Sequence, residues 1–170
     1  MPTRIFLIGF MGSGKTTHGR KIARMMDYDF VDMDEWIEEQ EGRSVTEIFR
    51  DNGESWFREK ERMAIHALGK LEKVVIATGG GVPCHGNNME LLKASGLTVY
   101  IKLPAEALVS RLTGAKSTRP LLEGKSPMEI RQTIHTMLTE REPFYQQAHM
   151  TIDGLGRVNE RVVNAIQRNN

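Results

Sequence analysis

Short apolar segments alternate with longer amphipathic segments along the chain. Five segments rich in apolar and β-branched residues predict strands, at 4–10, 28–34, 73–81, 97–103 and 149–153. Between and after them, apolar residues recur at helical spacing. This periodicity predicts helices at 15–27, 36–42, 44–52, 54–71, 88–95, 105–112, 126–148 and 157–169. Strands that alternate with helices predict an α/β fold: a three-layer α/β/α arrangement around a five-stranded parallel sheet.

Local signals mark several helix ends. Ser44 and Glu47 have the spacing of a capping box, and Ser126 is followed by Pro127 and Glu129 at favourable first-turn positions. Pro143 is expected to bend or interrupt the helix that contains it, because proline lacks a backbone donor.

Two segments interrupt the regular alternation. Residues 33–62 contain short helices, and residues 113–125 combine Gly, Ser, Thr and Pro without periodicity. We interpret both as excursions from a single domain that spans residues 1–170.

Composition narrows the class of protein. The 170 residues are 39 % hydrophobic and 26 % charged, with a formal net charge of +1, which is unlike a strongly basic nucleic-acid binder. No apolar stretch approaches the roughly 20 residues that span a bilayer, so no membrane partner is expected. The start of the chain is a poor signal peptide, and Cys84 as the sole cysteine excludes an internal disulfide framework. We expect a cytoplasmic monomer.

The stretch GFMGSGKT, Gly9 to Thr16, matches the phosphate-binding pattern G-x-x-x-x-G-K-[S/T]. It follows a predicted strand and begins a predicted helix, which is the context that this mechanism requires. Glycines leave backbone N–H groups accessible, and the helix N-terminus adds partial positive charge. Lys15 can reach the β- and γ-phosphates, and the Thr16 hydroxyl can bind Mg²⁺. The pattern therefore predicts nucleotide binding.

The stretch FVDMD places Asp32 and Asp34 two residues apart at the end of a predicted strand. Alternation along a strand would direct both carboxylates to the same face. Ligands bind beyond the carboxyl ends of parallel strands, so both should face the crevice beside the phosphate loop. We assign Asp32 to the metal and Asp34 to the phosphoryl acceptor, as a base. The alternative is that Asp34 serves as a helix N-cap.

Further candidate residues follow the third predicted strand or lie in the two inserts. Gly79, Gly80 and Gly81 would let backbone N–H groups approach a ligand. Arg119 lies in the second insert, residues 113–125, which we predict to be a mobile lid: it could cover the site, and Arg119 could stabilise the transferring group. Arg58 and Arg141 could together hold a carboxylate, although solvated surface roles are the alternative for each.

The chain resembles shikimate kinases, of the group of P-loop folds that includes nucleoside monophosphate kinases. The resemblance covers nearly the whole chain and rests on a set of motifs in a fixed order. They are GFMGSGKTT (9–17), FVDMD (30–34), FREKE (57–61), ATGGG (77–81), STRPLL (117–122) and REPFY (141–145).

The resemblance implies Mg²⁺-dependent transfer of the ATP γ-phosphoryl group to the 3-hydroxyl of shikimate, a step towards chorismate and aromatic amino acids. It also implies the strand order 2-3-1-4-5, an acceptor-binding insert at about 33–62 and a lid at about 113–125. Its catalytic residues would be Lys15, Asp34 and Arg119. The residues that it implies for ATP/ADP are Gly12, Ser13, Gly14, Lys15, Thr16, Thr17, Arg111, Arg119, Pro120 and Arg157. Those that it implies for shikimate are Asp34, Phe57, Arg58, Gly79, Gly80, Gly81 and Arg141, and those for Mg²⁺ are Thr16 and Asp32.

One segment departs from the family pattern. Related proteins often have a proline after the last strand, where this chain reads IDGLGRVNERV, so Arg157 is assigned to adenine by position alone. The strongest alternative function is another small P-loop kinase, such as a gluconate kinase or a nucleoside monophosphate kinase. A nucleotide-dependent switch is less consistent with the sequence, which lacks the N/T-K-x-D guanine signature.

Overall fold

A five-stranded parallel sheet forms the centre of the protein. The computed structural model describes residues 1–114 and 119–169, so residues 115–118 of the predicted lid lie outside the described residues. The strands are β1 (Arg4–Ile8), β2 (Asp29–Asp32), β3 (Val74–Ala77), β4 (Leu97–Lys102) and β5 (Met150–Asp153). Their order is β2-β3-β1-β4-β5, which confirms the predicted order, and each neighbouring pair is parallel.

Helices connect successive strands and flank the sheet. In the part of the chain that the structure describes, the α-helices are α1 (Lys15–Met26), α2 (Met33–Glu41), α3 (Val45–Asn52), α4 (Glu54–Leu68), α5 (Asn88–Ser95), α6 (Ala105–Thr113), α7 (Pro127–Tyr145) and α8 (Val158–Arg168). Short 3₁₀ helices span Val82–Cys84 and Pro120–Leu122. No helix among the described residues has the length and apolar character needed to cross a membrane.

The central strand β1 supplies both halves of the core. Phe6 and Ile8 belong to one buried cluster, whereas Ile5 and Leu7 belong to a second cluster that includes residues of α1 and α8. Alternate side chains of a strand point to opposite faces, so a strand covered on both sides must be apolar throughout. This explains the continuous apolar run in β1 and the three-layer arrangement.

The register brings three strand ends to one edge. Ala77 pairs with Leu7 on one side and with Asp32 on the other. Since these strands are parallel, the segments that follow β1, β2 and β3 leave the sheet side by side. The phosphate loop, the acidic pair and the glycine run therefore share one edge.

The prediction that β2 extends to Asp34 is wrong. The strand ends at Asp32, and α2 begins at Met33. Asp32 is the N-cap of α2, and its Oδ1 accepts hydrogen bonds from the backbone N–H groups of Asp34 (2.9 Å) and Glu35 (3.2 Å). A carboxylate at this position satisfies donors that a helix start leaves free, which favours the earlier helix start. Asp34 therefore reaches the site from the first turn of a helix.

The predicted interruption of the helix at Pro143 does not occur, whereas both predicted capping boxes are confirmed. Ser44 with Glu47 and Ser126 with Glu129 form the reciprocal bonds of the motif. Helix α7 continues through Pro143 and ends at Tyr145. Because Pro143 lies in the last turn, the helix loses one backbone donor close to an end that has free carbonyls in any case.

Candidate active site

The loop between β1 and α1 encloses a buried lysine. Gly14 is the N-cap of α1 with φ +89°, a backbone conformation that side chains with a Cβ rarely adopt. Lys15 is 8 % exposed, and its Nζ donates to the carbonyl oxygens of Gly9 (2.7 Å) and Phe10 (3.0 Å). Burial lowers the pKa of Lys15 to about 8, against the opposing effect of Asp34. The loop thus holds a cation at a helix N-terminus, an arrangement that suits phosphate oxygens.

Thr16 and Asp32 form a pair of oxygen donors beside this lysine. The Thr16 hydroxyl donates to Asp32 Oδ2 at 2.5 Å, across the gap between α1 and β2. Among the described residues, no three His, Cys, Asp or Glu side chains are grouped as metal ligands. Mg²⁺ is often held by one or two protein oxygens, with phosphates and water completing the shell. The donor set of Thr16 and Asp32 therefore fits Mg²⁺.

Asp34 has an oxygen atom without a partner. Its Oδ1 is buried and accepts no hydrogen bond within residues 1–114 and 119–169. Burial, together with the negative charge of Asp32 and against the opposing charge of Lys15, raises the pKa of Asp34 to about 6. A buried acceptor without a donor is energetically unfavourable, so this oxygen is available to a ligand that supplies one.

Two adjoining clefts open at this edge of the sheet, with volumes of about 360 and 100 Å³. The larger one contains residues of the phosphate loop, together with Asp32 and Arg111. The smaller one is lined by residues of α3, α4 and α7. Five residues line both clefts: Met11, Asp34, Gly79, Gly80 and Arg119. A ligand in each cleft would therefore meet its neighbour beside Asp34 and Arg119.

The smaller cleft contains a guanidinium held by two carboxylates. Arg58 Nη2 lies 3.2 Å from Glu54 Oε1, and Arg58 Nη1 lies 2.5 Å from Glu61 Oε1. The Glu61 residue is only 1 % exposed. Burial raises the pKa of Glu61 to about 7, although the Arg58 charge favours its ionised form. A Cβ atom on Gly81 would lie 2.5 Å from Arg58 Nη1, so the guanidinium packs where only glycine leaves room.

Arg141 and two aromatic rings complete this cleft. The Arg141 guanidinium lies 5.7 Å from the centre of the Phe10 ring, and the Phe49 and Phe57 rings are 4.9 Å apart. Arg58, Arg141 and the two phenylalanines all line the smaller cleft. It therefore combines two cations with an apolar wall, which suits an anionic molecule with an apolar face.

Most of the predicted residues line these clefts; Ser13 and Arg157 line neither cleft, and Pro120 lines the smaller one. Ser13 is buried and lines neither cleft. Its hydroxyl has no hydrogen-bond partner among the described residues. Pro120, which the resemblance placed with ATP, lines the smaller cleft. Arg157, assigned by position to adenine, is the exposed N-cap residue of α8 and lines neither cleft.

Sequence reasoning missed several residues that line the smaller cleft. They are Met11, Val45, Phe49, Glu61 and Leu121. Glu61 could have been found, because it is three residues after Arg58 on a predicted helix and therefore on the same face. The others carry no signal that distinguishes them from ordinary core residues.

Comparisons with known proteins agree with this geometry. The shikimate kinase family model matches residues 11–169. A shikimate kinase from Parabacteroides distasonis is 46 % identical over 150 residues, which cover 88 % of this chain and 87 % of that protein.

Two solved structures that share this fold are shikimate kinases. The crystal structure of shikimate kinase from Bacteroides thetaiotaomicron is 41 % identical, with a TM-score of 0.90, and the match covers 99 % of this chain and 98 % of that one. Shikimate kinase from Acinetobacter baumannii in complex with shikimate is 34 % identical, with a TM-score of 0.90, and the match covers 98 % of this chain and 94 % of that one. The family match, the curated relatives and the solved structures together show that the chain belongs to the shikimate kinase family of enzymes.

Proposed function

We propose that this protein transfers the γ-phosphoryl group of ATP to the 3-hydroxyl of shikimate, which yields ADP and shikimate 3-phosphate. The observation that carries the proposal is the Asp34 Oδ1 atom, which has no hydrogen-bond partner among the described residues and lies at the junction of the two clefts. On one side of it lies the phosphate loop, and on the other lie two arginines suited to a carboxylate. The product is an intermediate of chorismate and aromatic amino acid biosynthesis.

The larger cleft would hold the nucleotide. Backbone N–H groups from Gly12 to Thr17 would surround the phosphates, and Lys15 Nζ would exchange its two carbonyl contacts for phosphate oxygens. Arg111, whose Nη1 donates to the Gly12 carbonyl at 3.2 Å, would approach from α6. A nearby phosphate favours the charged form of Lys15 and offsets the effect of burial on its pKa.

The smaller cleft would hold shikimate. Arg58 and Arg141 would bind its carboxylate, since planar guanidinium groups match carboxylate geometry. The ring would lie against Phe57, and N–H groups of the glycine run would meet its hydroxyls. The 3-hydroxyl would donate to Asp34 Oδ1, which supplies the donor that this buried oxygen lacks.

In the chemical step, the 3-hydroxyl oxygen forms a bond to the γ-phosphorus while the bond from that phosphorus to the β,γ-bridging oxygen breaks. The hydroxyl proton passes to Asp34, and ADP leaves. Lys15 and Arg119 stabilise negative charge on the transferring group. Closure of the lid at about 113–125 would exclude water, which limits hydrolysis of ATP.

Mg²⁺ would be held by Thr16 and Asp32, which fit it as oxygen donors. When bound, the ion would supply positive charge that offsets the negative charge developing on the phosphates. The role of this chain is to orient the two oxygens: Asp32 Oδ1 is already fixed by backbone N–H groups, which leaves Oδ2 directed at Thr16.

A coupled ADP-release assay tests the proposal directly. Purified protein with MgATP is tested against shikimate, gluconate and nucleoside monophosphates, and Lys15→Ala serves as a control for contaminating kinases. We expect rapid ADP release with shikimate alone, and loss of that release in the control. Faster ADP release with gluconate or a nucleoside monophosphate would reject shikimate as the acceptor.

A further inference from the structure

Two residues of helix α7, Arg141 and Tyr145, lie beside the glycine run, residues Gly79 to Gly81. Tyr145 lies four residues after Arg141, so both occupy the same face of the helix. Tyr145 is 0 % exposed, and its hydroxyl donates to the carbonyl oxygen of Gly80 at 2.6 Å. The Tyr145 side chain therefore reaches the backbone of Gly80, a residue that lines both clefts.

This hydrogen bond fixes the orientation of one peptide group. In a trans peptide, the carbonyl of Gly80 and the N–H of Gly81 point in opposite directions. Holding the carbonyl towards Tyr145 therefore directs the Gly81 N–H away from it. Glycine has more backbone freedom than any other residue, so three consecutive glycines need an external contact to stay in one conformation.

The N–H groups of this run are free to bind a ligand. Within residues 1–114 and 119–169, those of Gly79, Gly80 and Gly81 donate no hydrogen bond. All three residues line the smaller cleft. The direction of these donors is therefore part of how the cleft would bind an oxygen-rich molecule.

Arg141 also lies beside Gly80. Its Nη1 is 3.4 Å from the position of a Cβ on Gly80, and the side chains of Arg141 and Cys84 lie near the Tyr145 hydroxyl. Burial raises the pKa of Tyr145, so its hydroxyl keeps its proton and remains a donor at any working pH. The hydroxyl thus links the glycine carbonyl to the region of one carboxylate-binding arginine.

We propose that Tyr145 is a positioning residue for the acceptor: it holds the Gly80–Gly81 peptide beside Arg141, so that donors from both meet the acceptor in a fixed geometry. The inference rests on the proposed function, because it concerns the acceptor cleft of that reaction. The alternative is a purely structural role, in which the hydroxyl bonds the nearest carbonyl because it is buried.

A neighbouring tyrosine provides a matched control. The Tyr100 and Tyr145 rings are 5.2 Å apart, and both residues are buried. The Tyr100 hydroxyl donates to Glu142 Oε2 at 2.5 Å, and it makes no hydrogen bond to the glycine run within the described part of the chain. Replacing either tyrosine with phenylalanine keeps the ring and removes one buried hydroxyl.

The experiment compares steady-state kinetics of Tyr145→Phe and Tyr100→Phe with those of the unaltered protein. For Tyr145→Phe, we expect KM for shikimate to rise about five- to tenfold, as the loss of one hydrogen bond predicts, while KM for ATP and kcat change less than about twofold. Tyr100→Phe should change none of the three by more than about twofold. Amide hydrogen exchange should accelerate within residues 78–84 in Tyr145→Phe alone.

Each result decides the question. Unchanged KM for shikimate in Tyr145→Phe, or an equal rise in both variants, overturns the inference and leaves the proposed function intact. Unchanged exchange in residues 78–84 also overturns it, because the backbone would then not depend on the hydroxyl. Absence of shikimate phosphorylation by the unaltered protein rejects the proposed function, and this inference with it.

Discussion

Asp34 and Glu61 lie on the same side of Gly79. A Cβ atom placed on that glycine would lie 3.1 Å from Asp34 Oδ1 and 3.0 Å from Glu61 Oε2. Both carboxyl groups have raised pKa values, about 6 for Asp34 and about 7 for Glu61, in each case chiefly through burial. Arg58 is bound to Glu61, whereas Asp34 Oδ1 has no partner among the described residues. The charge in the smaller cleft therefore depends on the protonation of these two carboxyl groups, and hence on pH.

We expect kcat/KM for shikimate to fall on the acid side, with an apparent pKa of about 6. The reason is that Asp34 must be ionised, in the form of the enzyme that binds shikimate, to accept the hydroxyl proton. The measurement is a pH–rate profile from pH 5 to 8 at saturating MgATP. The residual activity of Asp34→Asn should lack this acid limb. If Asp34→Asn kept an acid limb with the same pKa, the limb would belong to another group, such as the nucleotide.

The substitution Asp34→Asn should lower kcat about 10²- to 10⁴-fold, which is the usual contribution of a positioned general base. The affinity for ATP should change little, because the amide leaves the phosphate loop in place. The measurements are kcat from the coupled assay and the dissociation constant of ATP by titration calorimetry. Full turnover in Asp34→Asn would remove this residue from the mechanism.

The same substitution should stabilise the unliganded protein at pH 7.5. A carboxyl group whose pKa is raised by folding contributes stability below its unfolded pKa of 3.8, and this stability is lost as pH rises through about 6. Removing the charge should restore on the order of 1 to 2 kcal/mol, or roughly 2 to 8 °C in melting temperature. Thermal unfolding at pH 7.5 and pH 4 tests this, with the gain confined to the higher pH. A melting temperature lowered at pH 7.5 would contradict it.

Gly81→Ala should weaken acceptor binding while the protein stays folded. The added Cβ would lie 2.5 Å from Arg58 Nη1, and the end of that flexible side chain would have to move. We expect KM for shikimate to rise about tenfold or more, because a displaced guanidinium loses a charge-assisted hydrogen bond. The melting temperature should change by less than about 4 °C, the effect of 1 kcal/mol in a domain of this size.

Steady-state kinetics with varied shikimate compare Gly81→Ala with the unaltered protein. If Gly81→Ala bound shikimate as well as the unaltered protein did, the position of Arg58 beside Gly81 would not contribute to acceptor binding.

Asp32→Asn should raise the Mg²⁺ concentration needed for half-maximal activity about tenfold or more, since ligand charge contributes strongly to binding of hard cations. Asparagine can still cap α2, so the helix should keep its start. Asp32→Ala removes both the charge and the cap, and should also lower the melting temperature. Activity measured across a Mg²⁺ titration, together with thermal unfolding, separates the two effects. An unchanged Mg²⁺ requirement in Asp32→Asn would reject the metal assignment.

Much of the fold could be predicted because its signals are local. The apolar runs of β1 and β4, the pattern GFMGSGKT and the capping box at Ser126 each depend on neighbours within a few residues. Element ends were less predictable, as β2 shows: a strand pattern and a helix cap compete at Asp32, and the cap determines where the strand ends.

The sequence by itself determined the alternation of strands and helices, the phosphate loop and the family motifs, because backbone preference and hydrophobic periodicity act over short distances. The tertiary structure alone decided which side chains from separate elements meet. Glu61 reaches Arg58 along one helix, but Asp34 faces the smaller cleft and Tyr145 reaches Gly80 across 65 positions of sequence only when the sheet is assembled. Such contacts depend on the packing of separate elements, and no local pattern encodes the direction in which a buried polar group will find its partner.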